Sequence, residues 1–359
     1  MKIAAEALRR AVQAIFTAAG SDEHEASTMG TILVDANLVG HDSHGVIRVP
    51  GYIDQLLAGR VAVNRHISTV SQVGAISIVD GNMGFGQVIG GEVVDLGVAK
   101  AGEYGISLVG LRNAGHLGRI GYWAEKAAAE GVVSLHFVSA ASPGGAQIAA
   151  FGGRDRRMAA NPMAAGIPVG GGDPIIVDIA TSEIAVGKIR VARNKGARLP
   201  YPCIIDADGN PTDDPNALFA NPPGAVMTFG GHKGYALNLL FDLLAGALTG
   251  AGIHHRGARS AVQSGNNLLS IFIDPRTFID TQSMTETILD YVAWLKESVP
   301  IKGGDQVRIP GERSRDNRKR NALQGLFIDD ATWNELLLAA EKVGLTRSQI
   351  DEMGGRRKT

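Results

Sequence analysis

Apolar residues recur at helical spacing at both ends of the chain. Over residues 2–18, Ile3, Leu8, Val12, Ile15 and Phe16 share roughly one face. Ser21 stands where an N-cap belongs, ahead of Asp22, Glu23 and Glu25 in the positive first turn of a second helix. Met29, Leu33, Ala36 and Leu38 continue that helix into a polar cluster, His41-Asp42-Ser43-His44-Gly45. Past residue 66 the texture changes to short strand-like runs, mostly bounded by Gly or Asp: Ile76–Val79, Ser107–Leu111, Val132–Val138, Ile175–Val177, Cys203–Asp206 and Leu268–Ile273. Helical patterns lie among them at Gly86–Tyr104, Tyr122–Glu130 and the strongly apolar Lys233–Thr249, which Gly250 and Gly252 end. Amphipathic helices return at Thr285–Ser298, Thr332–Val343 and Ser348–Met353, before a basic tail, Arg356-Arg357-Lys358. The pattern predicts an α/β protein. Residues 1–65 plus 282–359 form a discontinuous helical domain, and 66–281 a central α/β domain.

Composition narrows the function classes. The 359 residues carry 35 Lys+Arg against 36 Asp+Glu, a formal charge of −1, and 5% aromatics. This gives no electrostatic footprint for nucleic acid or an anionic membrane, and few rings on which single strands could stack. A lone Cys203 excludes an internal disulfide framework and a four-cysteine zinc site, and His254-His255 has no third ligand nearby, so no metal is expected. The longest apolar run, Tyr235–Ala251, contains Asn238 and Asp242 and is shorter than the ~20 residues a bilayer span needs. Arg9, Arg10 and Gln13 break the first apolar stretch, which argues against a signal peptide and for a cytoplasmic protein. Glycine is in excess, 47 residues of 359, against a usual ~7%. Yet no Rossmann fingerprint follows an early strand: Gly84-Phe85-Gly86-Gln87-Val88-Ile89-Gly90 misses the spacing by one residue. Walker A, His-Glu-x-x-His and Gly-x-Ser-x-Gly motifs are also absent.

Two constellations carry candidate chemistry. In the first, His41 to Tyr52, a helix over 44–52 would put His44, Arg48 and Tyr52 on one face, on the condition that Pro50 does not break it. A guanidinium forks onto a carboxylate and an imidazole relays protons, which together suit a substrate with a carboxylate beside a carbonyl or hydroxyl. The plainer reading is Ser43 as an N-cap with surface His and Arg. The second constellation, Asn113-Ala114-Gly115-His116-Leu117-Gly118-Arg119-Ile120-Gly121, follows a strand. Either His116 meets a ligand there, with Gly118 and Gly121 admitting a phosphate and Arg119 as its counter-charge, or it is a turn residue before a helix. Asp178-Ile179-Ala180-Thr181-Ser182 reads as a strand end opening a capped helix. Gly230-Gly231-His232-Lys233-Gly234 could face an anion at a helix start. The charged run from Gly311 to Arg320 reads as solvated surface.

These blocks, with Asp35–Tyr52, Asn161-Pro162, His232-Lys233-Gly234-Tyr235 and Pro310-Gly311-Glu312, resemble the type-2 malate/L-lactate dehydrogenase family over nearly the whole chain. Gly-Arg-Ile-Gly-Tyr-Trp at 118–123 is most similar to the hydroxycarboxylate dehydrogenase B branch, although Arg48 follows the wider family. The resemblance implies a non-Rossmann dinucleotide fold, usually dimeric, that moves a hydride between NAD or NADP and a 2-hydroxyacid or 2-oxoacid. It implies His116 as proton donor and acceptor, Arg48 as carboxylate anchor, and Ser43 and His44 lining the same site, His44 alternatively touching cofactor. Cofactor contacts are implied for Gly118, Arg119 and Ile120, for Ile176, Val177, Asp178, Ile179 and Ala180, for His232, and for Gly311, Glu312, Arg313 and Ser314. The sequence leaves NAD and NADP both open: Arg119, Arg313 or Arg315 could meet the extra phosphate of NADP, and Asp178 a free ribose hydroxyl if it faces the ribose; NAD is preferred. The alternatives are a cyclic imino-acid reductase and a dinucleotide-binding protein without turnover.

Overall fold

A seven-stranded mixed sheet organises the centre of the computed structural model, which describes residues 2–140, 145–253 and 265–355. His254-His255 and the tail from Arg356 lie outside the described residues. The N-terminal part supplies helices α1 (Ala5–Ala18), α2 (Glu23–Leu38) and α3 (Val49–Leu57). The large sheet follows, from β1 (Ser68–Val73), β2 (Ile76–Asp80), β3 (Ile106–Ala114), β4 (Val133–Ala140), β5 (Pro162–Ile167), β6 (Ile175–Ala180) and β7 (Asn266–Ile273). Their spatial order is β1-β2-β3-β7-β4-β5-β6. Only β2 and β3 run parallel; the other neighbours are antiparallel. That parallel pair requires a crossover, and α4 (Gly86–Tyr104) provides it, buried through Val88, Ile89, Val93 and Val94. β3 therefore ends in a loop on the far side of a β-α-β unit, before α5 (Gly121–Ala129).

A five-stranded sheet of short strands, Pro211–Thr212, Ile204–Ile205, Ala225–Val226, Ile148–Ala149 and Arg156–Met158, carries its own core with α6 (Val186–Asn194) and buried Cys203. Further along come α7 (His232–Phe241), α8 (Thr281–Lys296), α9 (Glu312–Gln324), α10 (Asp330–Lys342) and α11 (Arg347–Met353). The two chain ends share one core: Phe16, Met29 and Leu33 pack with Trp333, Leu336 and Ile350. Lys2–Ile3 also pairs with Leu326–Phe327. By contrast α8 buries only Thr285, and Leu289, Tyr291 and Trp294 stay exposed.

Several local expectations are corrected. Asp22, not Ser21, caps α2, its carboxylate accepting from the Glu25 amide; the Ser21 hydroxyl instead donates to Glu25 at 2.6 Å. Lys233–Thr249 is not one α-helix, because α7 gives way to a π-helical stretch at Asp242–Ala247. Asp178 lies within β6, and no helix opens there with a side-chain cap: α6 begins at Val186 after an uncapped Ala185. The strand expected over Cys203–Asp206 is reduced to Ile204–Ile205.

Candidate active site

The polar cluster after α2 is held by one side chain. Asn37, 4% exposed at the end of that helix, donates to Asp42 at 2.7 Å and accepts from the Val46 amide at 2.9 Å. Its amide occupies the space a Cβ on Gly45 would need, 2.2 Å away, so only glycine lets the turn close there. The turn is two short 3₁₀ segments, Asp42–His44 and Val46–Arg48, rather than a helix over 44–52. Pro50 falls in the first turn of α3, where its missing N–H costs nothing. Ser43 caps no helix. Its hydroxyl lies 3.1 Å from His44 Nδ1, and its carbonyl accepts from Arg48 Nε at 2.6 Å. The two terminal nitrogens of the exposed Arg48 have no partner among the described residues, so a planar fork is free for a carboxylate.

His116 arrives from the other side, on the loop after β3. Gly115 N donates to Gly84 O at 2.8 Å, Leu117 N to Asn266 Oδ1 at 2.9 Å, and Trp123 Nε1 to Leu117 O at 3.1 Å. The start of α4 presses on this loop so closely that a Cβ on Gly86 would sit 2.3 Å from the His116 carbonyl. The imidazole stacks on that of His44, centroids 5.6 Å apart. Its Nδ1 is 2.7 Å from the hydroxyl of Tyr52, which also accepts from Gln87 Nε2 at 2.9 Å. Nε2 has no hydrogen-bond partner among the described residues. The structure thus brings Ser43, His44, Arg48 and His116 together. Gln87, and Tyr52 as the partner of His116, were not foreseen; the two rings are 64 residues apart in sequence.

Both imidazoles are held neutral. Burial, then the Arg48 guanidinium and its neighbours, pushes His44 down to about 3, and burial, Arg48 and His44 push His116 well below its ordinary value. Because both folded values lie below the unfolded ~6.5, the unfolded chain binds more protons there, and these two rings withdraw stability as pH falls below ~6.5. We expect ring NMR of the free protein to show neither histidine protonating between about pH 8 and pH 5. A midpoint near 6.5 for either would contradict this environment.

Arg119 does not act as an open counter-charge. It is 3% exposed, with Nη2 3.0 Å from Glu125 and 3.2 Å from Asp35, and Nη1 3.9 Å from Asp178. Arg318 closes the network, 3.0 Å from Asp35 and 2.7 Å from Glu125. Burial alone would raise Glu125, but the two guanidinia hold it below the usual carboxylate range. Asp178 is raised by burial despite Arg119, and it accepts from the Gly121 amide at 3.1 Å. Part of the 311–320 run is therefore internal, not solvated.

The remaining candidates fall in two places. Ile176, Val177, Asp178, Ile179 and Ala180 lie on edge strand β6, beside Gly311, where a Cβ would be 3.3 Å from that of Ile176. Gly311 (φ +97°) caps α9, and Ile176 N donates to Pro310 O at 3.2 Å. Glu312 accepts from Ile309 N and pairs with Lys296, whereas Arg313 is exposed and unpaired among the described residues; Ser314 is half-buried. Ile179 and Ala180 also line a cavity of about 620 Å³ with Ser182, Glu183, Lys188 and Tyr201. Its helix α6 approaches the histidine turn, a Cβ on Gly187 lying 3.8 Å from that of Ser43. Gly118 (φ +70°) and Ile120 flank Arg119. His232 stands apart, exposed at the start of α7 with its ring against Phe151, 5.9 Å between centroids.

Residues 3–337 match the family model described as malate/L-lactate dehydrogenase. The chain belongs to that family. Among members of the malate/L-lactate dehydrogenase family, it is 39% identical to hydroxycarboxylate dehydrogenase B of Escherichia coli (strain K12), over 96% of this chain and 95% of that one. It is 36% identical to an L-lactate dehydrogenase of Cupriavidus necator, over 96% and 99%. The solved sulfolactate dehydrogenase of Methanocaldococcus jannaschii superposes with a TM-score of 0.88 at 29% identity, covering 98% of this chain and 99% of that one.

Proposed function

We propose that this chain moves a hydride between a nicotinamide cofactor and the carbon alpha to the carboxylate of a 2-hydroxyacid or 2-oxoacid of the malate, lactate or aryl-lactate type. The observation that carries the reading is the pairing of a half-buried His116, open only at Nε2, with an Arg48 fork that no acidic side chain occupies. The backbone fits a dinucleotide: Gly118 and Gly311 take left-handed conformations closed to most side chains, and both adjoin the β6–α5 region. Gly118, Ile120, residues 176–180 and 311–314, with His232, are the proposed contacts, Arg119 only through its backbone.

A bound nicotinamide would supply or take the hydride. Arg48 binds the substrate carboxylate and turns the adjacent carbonyl toward His116. In reduction the carbonyl π pair moves to oxygen, which takes the Nε2 proton of His116 in its imidazolium form, formed once the substrate carboxylate answers Arg48, and the ring returns to neutral with Nδ1–H on Tyr52; in oxidation Nε2 of the neutral ring accepts the proton back. His44, stacked on that ring, and Ser43 exclude water from its face. NAD is the proposed cofactor, since Arg119 and Arg315 already serve Asp35, Glu125, Asp173 and the Pro174 carbonyl, leaving Arg313, of the three, without a partner among the described residues. We further read the chain as a cytoplasmic homodimer, which the exposed apolar face of α8 supports, and residues 1–65 with 282–359 as its helical domain. No helix of the described residues is long and apolar enough to cross a membrane.

Replacing the fork tests this directly. Arg48→Gln is expected to raise the KM for a 2-oxoacid by roughly ten- to a hundredfold, the loss of a charge-assisted bidentate pair, while cofactor affinity stays the same. An unchanged KM would remove Arg48 from the site.

A further inference from the structure

His116 can serve as acid or base only if its protons sit on the correct nitrogens, and nothing in the proposed chemistry yet says what arranges them. Many acid–base histidines rely on a carboxylate at the second nitrogen. Here the neighbours acting on His116 are the Arg48 guanidinium and the His44 ring, and both disfavour the imidazolium. The group in contact is a phenol. We propose that Tyr52, backed by Gln87, is the positioning residue that decides which ring nitrogen of His116 carries the proton, and so whether Nε2 faces substrate as donor or acceptor.

Three groups in a row, Gln87, Tyr52 and His116, share their hydrogens. Tyr52 Oη has one proton and two neighbours, His116 Nδ1 at 2.7 Å and Gln87 Nε2 at 2.9 Å. With the Gln87 amide donating to Oη, the phenol proton must go to Nδ1, and the neutral ring carries its own proton on Nε2. This arrangement greets a carbonyl oxygen with a donor. If the amide turns over, its oxygen accepts from Tyr52, and Oη then accepts from Nδ1–H. That second arrangement leaves Nε2 with a lone pair, or with a transferable proton in the imidazolium, as proton exchange with an alcohol oxygen requires.

Two observations favour a chain that can reverse. Gln87 Oε1 is buried without a partner, although the residue is 0% exposed, so turning the amide costs no hydrogen bond at that atom. Burial pushes the phenol of Tyr52 up to about 12, so it stays protonated and able to point either way. The ring itself is locked, 4% exposed against Phe85 in the core shared by the chain ends. Its hydroxyl is thus a fixed point that only rotates its hydrogen.

The proposal rests on His116 being the acid–base group, and its test does not depend on turnover. Nitrogen NMR of ¹⁵N-histidine-labelled protein distinguishes the two neutral tautomers of His116 in the free protein. The wild type is expected to show one dominant tautomer. Tyr52→Phe keeps the ring and its packing, and should turn His116 into a mixture while kcat falls roughly ten- to a hundredfold, cofactor affinity being unchanged. Gln87→Met, close in volume, should also mix the tautomers while leaving the phenol in place, so one poorly folded variant cannot decide the matter. A single unchanged tautomer in both variants, or an unchanged kcat in Tyr52→Phe, overturns the proposal. Mixed tautomers in a protein that turns over no 2-oxoacid would uphold the positioning role and defeat the dehydrogenase reading instead.

Discussion

His116→Ala loses at least about 100-fold in kcat for 2-oxoacid reduction, the contribution a positioned general acid typically makes. The fold around it is expected to survive, because the loop is held by its backbone and not by the imidazole. Gly115 N remains on Gly84 O, Leu117 N on Asn266, and Trp123 on Leu117 O. None of the cofactor contacts we propose uses the imidazole, and those nearest to it, Gly118 to Ile120, sit on the same backbone-held loop, so fluorescence titration of reduced nicotinamide should give the wild-type dissociation constant. The combination is diagnostic: a loss in kcat with intact binding is a loss of transition-state stabilisation, not of a folded site. Full activity in this variant would remove His116 from the chemistry.

Arg119→Ala is expected to produce the largest loss of stability, about 3 kcal/mol or more by urea unfolding. Removing one member of a buried ion network leaves its partners desolvated and unpaired, which costs more than the network contributed. Asp35 and Glu125 would keep only Arg318, and Asp178 would lose its nearest guanidinium. Because the network joins α2, α5, β6 and α9, the damage is not confined to one element. Arg313→Ala is the control: the exposed, unpaired neighbour should change stability by within about 0.5 kcal/mol. If both substitutions cost the same, the buried network contributes nothing particular.

Which features could be read from the chain follows from how local their causes are. The helix over Gly86–Tyr104 and the strands around Ile76, Leu108 and Phe137 follow from apolar periodicity and from the glycines that punctuate it, and the structure places them there. Both histidine clusters were visible as dense polar blocks after apolar segments. Pro50 showed that a helix over 44–52 was conditional, but not that the chain would use it to start α3. Helix α9 was missed because its charged sequence lacks an apolar stripe; ion pairs and hydrogen bonds to α2 hold it instead. The couplings that shape the site were out of reach for another reason. Asp35 meets Arg119 across 84 positions and Arg318 across 283, and no periodicity pairs such residues. Arg119 shows the consequence: beside glycines it reads as a phosphate partner, yet its charge is already answered inside the protein.

Hydride transfer is read directly by isotope labelling. The protein would be incubated with 2-oxoacids and reduced nicotinamide cofactor deuterated at C4, and the product examined by mass spectrometry and NMR. Deuterium is expected on the carbon alpha to the carboxylate of a 2-hydroxyacid product, with label transfer suppressed at least about 100-fold in His116→Ala. Cofactor binding without label transfer to any 2-oxoacid would contradict it.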